Sequence, residues 1–159
     1  MKTLLLCTLF AVIFLASPAW AAGGGSGSMV EPKPVDPFIE KAQAAIAKQD
    51  WKQAQEIMSG AVAQNPGNAE YHNLYAYSLR KGENPPMDLV FRHYNQALFI
   101  DPNSRNAHEY LGEAYLMTGN LEKAKEHLAV LDRLCTFPCE QYTMLKKAVA
   151  DYESRQAKK

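Results

Sequence analysis

Residues 108–128 read HEYLGEAYLMTGNLEKAKEHL, and the spacing inside this stretch decides the fold. Leu111, Gly112 and Tyr115 set a large, a small and a large side chain on one helical face, and Gly119 ends that helix. Ala124 and Leu128 then stand one turn apart on a second helix. Small side chains let helices approach closely, so Gly112 and Ala124 mark where two helices meet. The stretch reads as a helical hairpin.

The same marks return upstream. Asp101-Pro102 and His108 are echoed by Asn65-Pro66 and His72, both 36 positions earlier. In that register Tyr75, Ala76 and Leu79 fall on Leu111, Gly112 and Tyr115, and Ala54 is the small residue of an earlier second helix. From Pro37 onward apolar residues keep helical spacing with almost no β-branched runs, and every break carries Pro, Gly, Asn or Asp. This pattern predicts helices near 37–48, 51–64, 69–81, 87–99, 104–117, 120–134 and 140–155. In the last of these Tyr142, Leu145, Val149 and Tyr152 share a face, while Lys146, Lys147, Asp151 and Glu153 take the others. A helix with one apolar face fits a terminal cap, since the last unit of a stack otherwise leaves its core in water.

These spacings resemble the tetratricopeptide repeat, whose pattern W-x2-L-G-x2-Y, A-x3-F and P runs over about 34 residues. The third unit is the nearest match, with His108-x2-Leu111-Gly112-x2-Tyr115 and Ala124-x3-Leu128. The first keeps its second helix in Trp51, Ala54-x3-Met58, Ala61 and Pro66, with a weaker first helix at Phe38, Ala42 and Ala45. The middle unit departs, placing Val90 where alanine is usual and a longer turn at Gly82-Glu83-Asn84-Pro85-Pro86. The resemblance covers about Pro37 to Leu134. It implies an all-α fold, a right-handed helical-hairpin solenoid of three units (about 37–68, 69–104 and 105–134) in the segment 37–134, followed by a cap and tail at 135–159.

The N-terminal residues have a different texture. Lys2 precedes an apolar run, TLLLCTLFAVIFLA, and then Ser17-Pro18 and the small-x-small triplet Ala19-Trp20-Ala21. Those are the three parts of a secretory signal peptide, so 1–21 is read as export signal, cleaved near Ala21. The run falls short of the roughly 20 apolar residues that span a bilayer, and retention as an anchor is the alternative. The mature chain is expected to be periplasmic or secreted, without stable membrane insertion. Residues 22–36, AGGGSGSMVEPKPVD, read as a flexible Gly/Ser/Pro linker. The full chain balances 17 basic with 17 acidic side chains; losing Lys2 leaves 16 against 17. With bases and acids interspersed, nucleic-acid binding is disfavoured.

Few residues suggest chemistry. Cys135-Thr-Phe-Pro-Cys139 fits a structural disulfide in an oxidising compartment, linking the third unit to the cap. Thiol exchange and metal handling by Cys135 and Cys139 are the competing readings, although the pair has one residue more than the usual redox spacing and no histidine follows it. His72, His93, His108 and His127 include no i, i+4 pair, so packing is preferred to a metal site. Glu109 and Glu113 share a face but read as a solvated groove. No phosphate loop, nucleophile elbow or catalytic triad can be assembled, so no catalytic residue, metal or cofactor is expected.

Binding remains. The resemblance implies a concave groove lined by the first helix of each unit, which accepts a protein or peptide partner. Carried over by position, its wall is Ile46 from the first unit, Glu70, Asn73, Tyr77 and Arg80 from the second, and Glu109, Glu113 and Leu116 from the third, with Ile39, Gln43 and Asn106 beside them. Ile39, Gln43, Asn106 and Tyr110 occupy positions where some relatives hold a peptide carboxylate with Lys, Asn and Arg, so no such clamp is expected. The resulting expectation is a non-catalytic interaction or scaffold module. Stacking between copies would also permit a homo-oligomer.

Overall fold

The computed structural model describes residues 35–137 and 139–158. The expected export signal and nearly all of the expected linker lie outside the described residues. Those described form helices and turns, without strands. In chain order the helices are α1 Pro37–Ala47, α2 Trp51–Gln64, α3 Ala69–Lys81, α4 Met87–Ile100, α5 Arg105–Met117, α6 Leu121–Leu134 and α7 Glu140–Gln156. Each end lies within one residue of the expectation from sequence.

Local chemistry explains that agreement. Asp36 caps α1 by accepting from the Phe38 and Ile39 amides, and Pro37 opens the helix with its φ already set. Asp50, Asn68, Ser104 and Asn120 accept from the first free amides of α2, α3, α5 and α6. Between α5 and α6 the chain turns through Gly119 at φ 81°, a left-handed conformation that glycine adopts without strain. The Gly119 amide then donates to Leu116 and the Asn120 amide to Tyr115, closing orphan carbonyls of α5.

Consecutive helices pack as antiparallel hairpins, and α1, α3, α5 and α7 also touch one another in order. They make an inner layer, with α2, α4 and α6 outside it. This is an all-α helical-hairpin solenoid. Its interior is a series of neighbouring clusters, as expected where each unit contacts only the next. Ala42, Met58, Ala61, Tyr71 and Leu74 join the first hairpin to α3. Ala76, Leu79, Val90, Tyr94, Leu111 and Ala114 join the second hairpin to α5. Val90 takes an alanine's place in this cluster with no exposure. Leu116, Ala124, Leu131, Leu145 and Val149 join the third hairpin to α7.

The close approach at Gly112 comes from the cap. A Cβ built there would lie 2.6 Å from Leu145 Cδ2 and 2.8 Å from Cδ1, well inside van der Waals contact. The glycine of the third unit therefore seats α7, and Ala124 lies in that same cluster. Asp36 adds a long-range tie, accepting from the Tyr71 hydroxyl at 2.7 Å and so holding the start of α1 against α3.

Candidate functional site

The inner layer is grooved. Between α1, α3 and α5 lies a cavity of about 250 Å³ walled by Gln43, Ile46, Glu70 and Asn73 and ending at Tyr77, Asn106 and Tyr110. A second cavity of about 340 Å³ starts from Tyr77, Asn106 and Tyr110 and continues along Arg80, Glu109 and Glu113. Their shared residues make them one channel. Residues one turn apart on a helix stack along the same face, which puts Asn73 beneath Tyr77 on α3, and Asn106 with Tyr110, and Glu109 with Glu113, on α5.

Aromatic rings occupy the middle. Tyr77 and Tyr110 have centroids 4.7 Å apart, and the Arg80 guanidinium lies 5.6 Å from each. Arg80 is buried and fixed from two sides. Its Nη2 pairs with Glu113 Oε2 at 2.8 Å, and its Nε donates to the Tyr94 hydroxyl at 3.3 Å. Glu113 is therefore a neutralised anion, and Arg80 a cation already in use.

The other carboxylates differ. Burial raises the Glu109 pKa to about 7; nearby Glu113 and Glu140 push the same way, and Arg80 opposes them. Burial likewise raises Glu70, which a hydrogen bond from Asn73 partly offsets. Tyr110 is pushed up to about 12, first by burial and then by the charge of Glu109.

Seven of the eight wall residues expected from sequence are thus gathered here. Leu116 lies apart from them. It is 9% exposed and packs with Leu145 and Val149, because α7 docks over the end of α5 and covers it. The same docking adds residues that the sequence reading missed: Glu140, Gln141 and Met144 close the far end of the channel. Gln141 Nε2 donates to Asn106 Oδ1 at 2.8 Å, latching cap to groove. The apolar face of α7 was visible in the sequence; which of its residues would turn toward α5 was not.

The histidines pair inside the hairpins. His72 Nδ1 lies 2.8 Å from His93 Nδ1, and His108 Nδ1 lies 2.9 Å from His127 Nδ1. His72 Nε2 donates to the Pro66 carbonyl and His108 Nε2 to the Pro102 carbonyl. Packing holds for both, with a hydrogen-bonded partner the spacing rule could not reveal. Across the turn from α6 to α7, Cys135 and Cys139 face one another with Cα atoms 5.7 Å apart.

Comparison with known proteins agrees with this architecture. The family model described as tetratricopeptide repeat matches residues 39–86 and 92–135. The chain belongs to the tetratricopeptide repeat family. No curated protein matches the sequence closely enough to name a relative. Among solved structures, the type III secretion translocator chaperone SycD of Yersinia enterocolitica is similar in fold, with TM-score 0.65 and 13% identity over 76% of this chain and 83% of that one. SycD in complex with a peptide of the translocator YopD gives TM-score 0.64 and 12% identity over 75% and 92%. The TPR2B domain of yeast Sti1, solved as a complex with pHsp70, gives 0.66 and 16% over 74% and 94%. At these identities the likeness is one of fold.

Proposed function

We propose that this tetratricopeptide repeat protein is a non-catalytic interaction module that holds a segment of a partner protein in its concave channel. The observation that carries the reading is the channel itself, walled by the inner helices and crossed by the half-buried rings of Tyr77 and Tyr110. Rings of this kind give large contact area at little entropic cost, which is how interface anchors work. A similar fold, that of SycD, has been solved with a peptide of the translocator YopD bound, which supports the reading by analogy. The test is co-purification of the partner with the full chain. Tyr77→Ala combined with Ile46→Ala should abolish it while the helical circular dichroism signal persists; unchanged recovery would refute the channel as the site. Glu113 is a poor choice for such a test, because its loss leaves Arg80 buried without a counter-ion.

The reading includes export. The pattern of residues 1–21 supports a periplasmic or secreted location, and N-terminal sequencing of the fractionated protein should begin near Ala22. In such a compartment Cys135 and Cys139 form a structural disulfide joining α6 to α7, and mass spectrometry of the oxidised protein should find no free thiol at either.

A further inference from the structure

Glu109 is a largely buried residue whose carboxylate reaches the channel with no hydrogen-bond partner among the described residues. It is 6% exposed, and among the described residues it makes no hydrogen bond and no ion pair. Among the described residues the cation buried beside it is Arg80, which Glu113 and Tyr94 already hold. Lys81 also borders the channel, but its ammonium lies 6.0 Å from the centre of the Trp51 ring. Burying an unpaired carboxylate is costly, so a folded chain that keeps one has a vacancy for positive charge.

A second acceptor in the same channel is also unsatisfied. Asn73 is 1% exposed, and its Oδ1 has no hydrogen-bond partner among the described residues. Its amide nitrogen is directed to Glu70 Oε2 at 3.4 Å. The donors nearby are engaged, Arg80 with Glu113 and Gln141 Nε2 with Asn106. Tyr77 and Tyr110 border both cavities, so their rings stand between Asn73 and Glu109 along the channel.

Resting on the channel as the binding site, we propose that its occupant is a basic segment of a partner protein, with a lysine or arginine side chain delivered to Glu109 across Tyr77 and Tyr110. The alkyl stem of such a side chain packs on the rings while its charged head reaches the carboxylate. An acidic segment would meet Glu70, Glu109 and Glu140 and be repelled. A wholly apolar segment would seal the Glu109 carboxylate away from water unpaired.

The experiment uses the full chain and two acetylated, amidated Ala/Leu peptides, one carrying lysines and the other glutamates at the same positions, with binding read by fluorescence anisotropy. The lysine peptide should bind at least about tenfold more tightly than the glutamate peptide, and Glu109→Gln should remove about that factor. Glu109→Gln should melt no lower than the parent, because it removes a carboxylate charge that has no counter-ion of its own; a merely structural role would lower the melting temperature. A measurement that needs no variant is calorimetry of the lysine peptide near pH 7 in buffers of different ionisation heat, which should show proton release from Glu109 on binding. Equal binding of the two peptides, unaltered affinity in Glu109→Gln, no proton release, or no binding of the lysine peptide to the parent would each overturn the proposal. If Glu109→Gln retains the natural partner while Tyr77→Ala with Ile46→Ala loses it, the channel stands as the site and the basic occupant falls.

Discussion

The Nδ1 atoms of His72 and His93 face each other at 2.8 Å, and only one of them can carry a proton. His72 Nε2 is committed as donor to the Pro66 carbonyl, so the neutral His72 ring accepts at Nδ1 and His93 donates. His108, His127 and Pro102 repeat the arrangement in the next hairpin. One extra proton can sit on the outer nitrogen of His93 or His127, but a second would set two N–H groups against one another.

The first prediction is therefore acid sensitivity. Burial, then the His72 or His108 partner, lowers His93 and His127 to about 4 from the usual 6.5. A histidine held neutral in this way contributes stability that is full above pH 6.5 and is lost as pH falls toward 4. Discounted for partial exposure, the loss should be on the order of 2 kcal/mol for each pair. Glu109 works in the opposite sense, since a carboxyl raised to about 7 weakens the fold as pH rises from 4.5 to 7. Urea titrations between pH 4 and 7 should thus be made in Glu109→Gln. There His93→Gln with His127→Gln should flatten the slope, and an unchanged slope would remove the pairs as its cause.

Gly112 and Leu145 give the second prediction. Gly112→Ala gains about 1 kcal/mol of helix propensity, but the new methyl meets three atoms of a fully buried Leu145, and overpacking costs about 1–3 kcal/mol. The net effect should be a destabilisation of about 1 kcal/mol. Leu145→Ala alone should cost about 2–4 kcal/mol by leaving a cavity. In the double variant the methyl occupies part of that space, so the two losses should fall short of additive by at least about 0.5 kcal/mol. Strict additivity in denaturant titrations would mean that α7 does not seat on Gly112.

What was legible in the sequence divides along the same line. Helix limits could be read because Asp36, Asp50, Asn68, Ser104 and Asn120 act locally, each capping the helix next to it. The inner wall from Ile46 to Glu113 was carried over by position from the family resemblance. The packing of Leu116 and the place of Glu140 and Gln141 were not legible, because their surroundings depend on how α7 rotates as it docks, which no spacing within one helix encodes. The His72–His93 pair escaped notice for the same reason, its members standing 21 positions apart on different helices.

The third prediction concerns Arg80. Arg80→Met keeps the apolar stem but strips Glu113 and the Tyr94 hydroxyl of their partner, and should destabilise the chain by about 2–3 kcal/mol. Arg80→Met combined with Glu113→Gln should recover part of that loss, since no buried charge is then left alone. Chemical denaturation checks both. A double variant no more stable than Arg80→Met would mean that the pair carries no net coupling.

The last prediction fixes the pH dependence of binding. Glu109 is faced by Glu113 and Tyr110 on its own helix, by Arg80 from α3 and by Glu140 from α7. Burial holds the Glu109 carboxyl at about 7. Below that value it is protonated in the free protein, and a cationic side chain must displace the proton to pair with it; above it the carboxylate is already ionised. Affinity for the lysine peptide should therefore climb about tenfold per pH unit below 7 and level off between 7 and 8. The glutamate peptide should show no such rise. In Glu109→Gln the curve for the lysine peptide should flatten over the same interval, whereas His93→Gln, which lies outside the channel, should leave it in place. A curve that keeps its slope in Glu109→Gln would assign the proton to another group and separate the cation from Glu109.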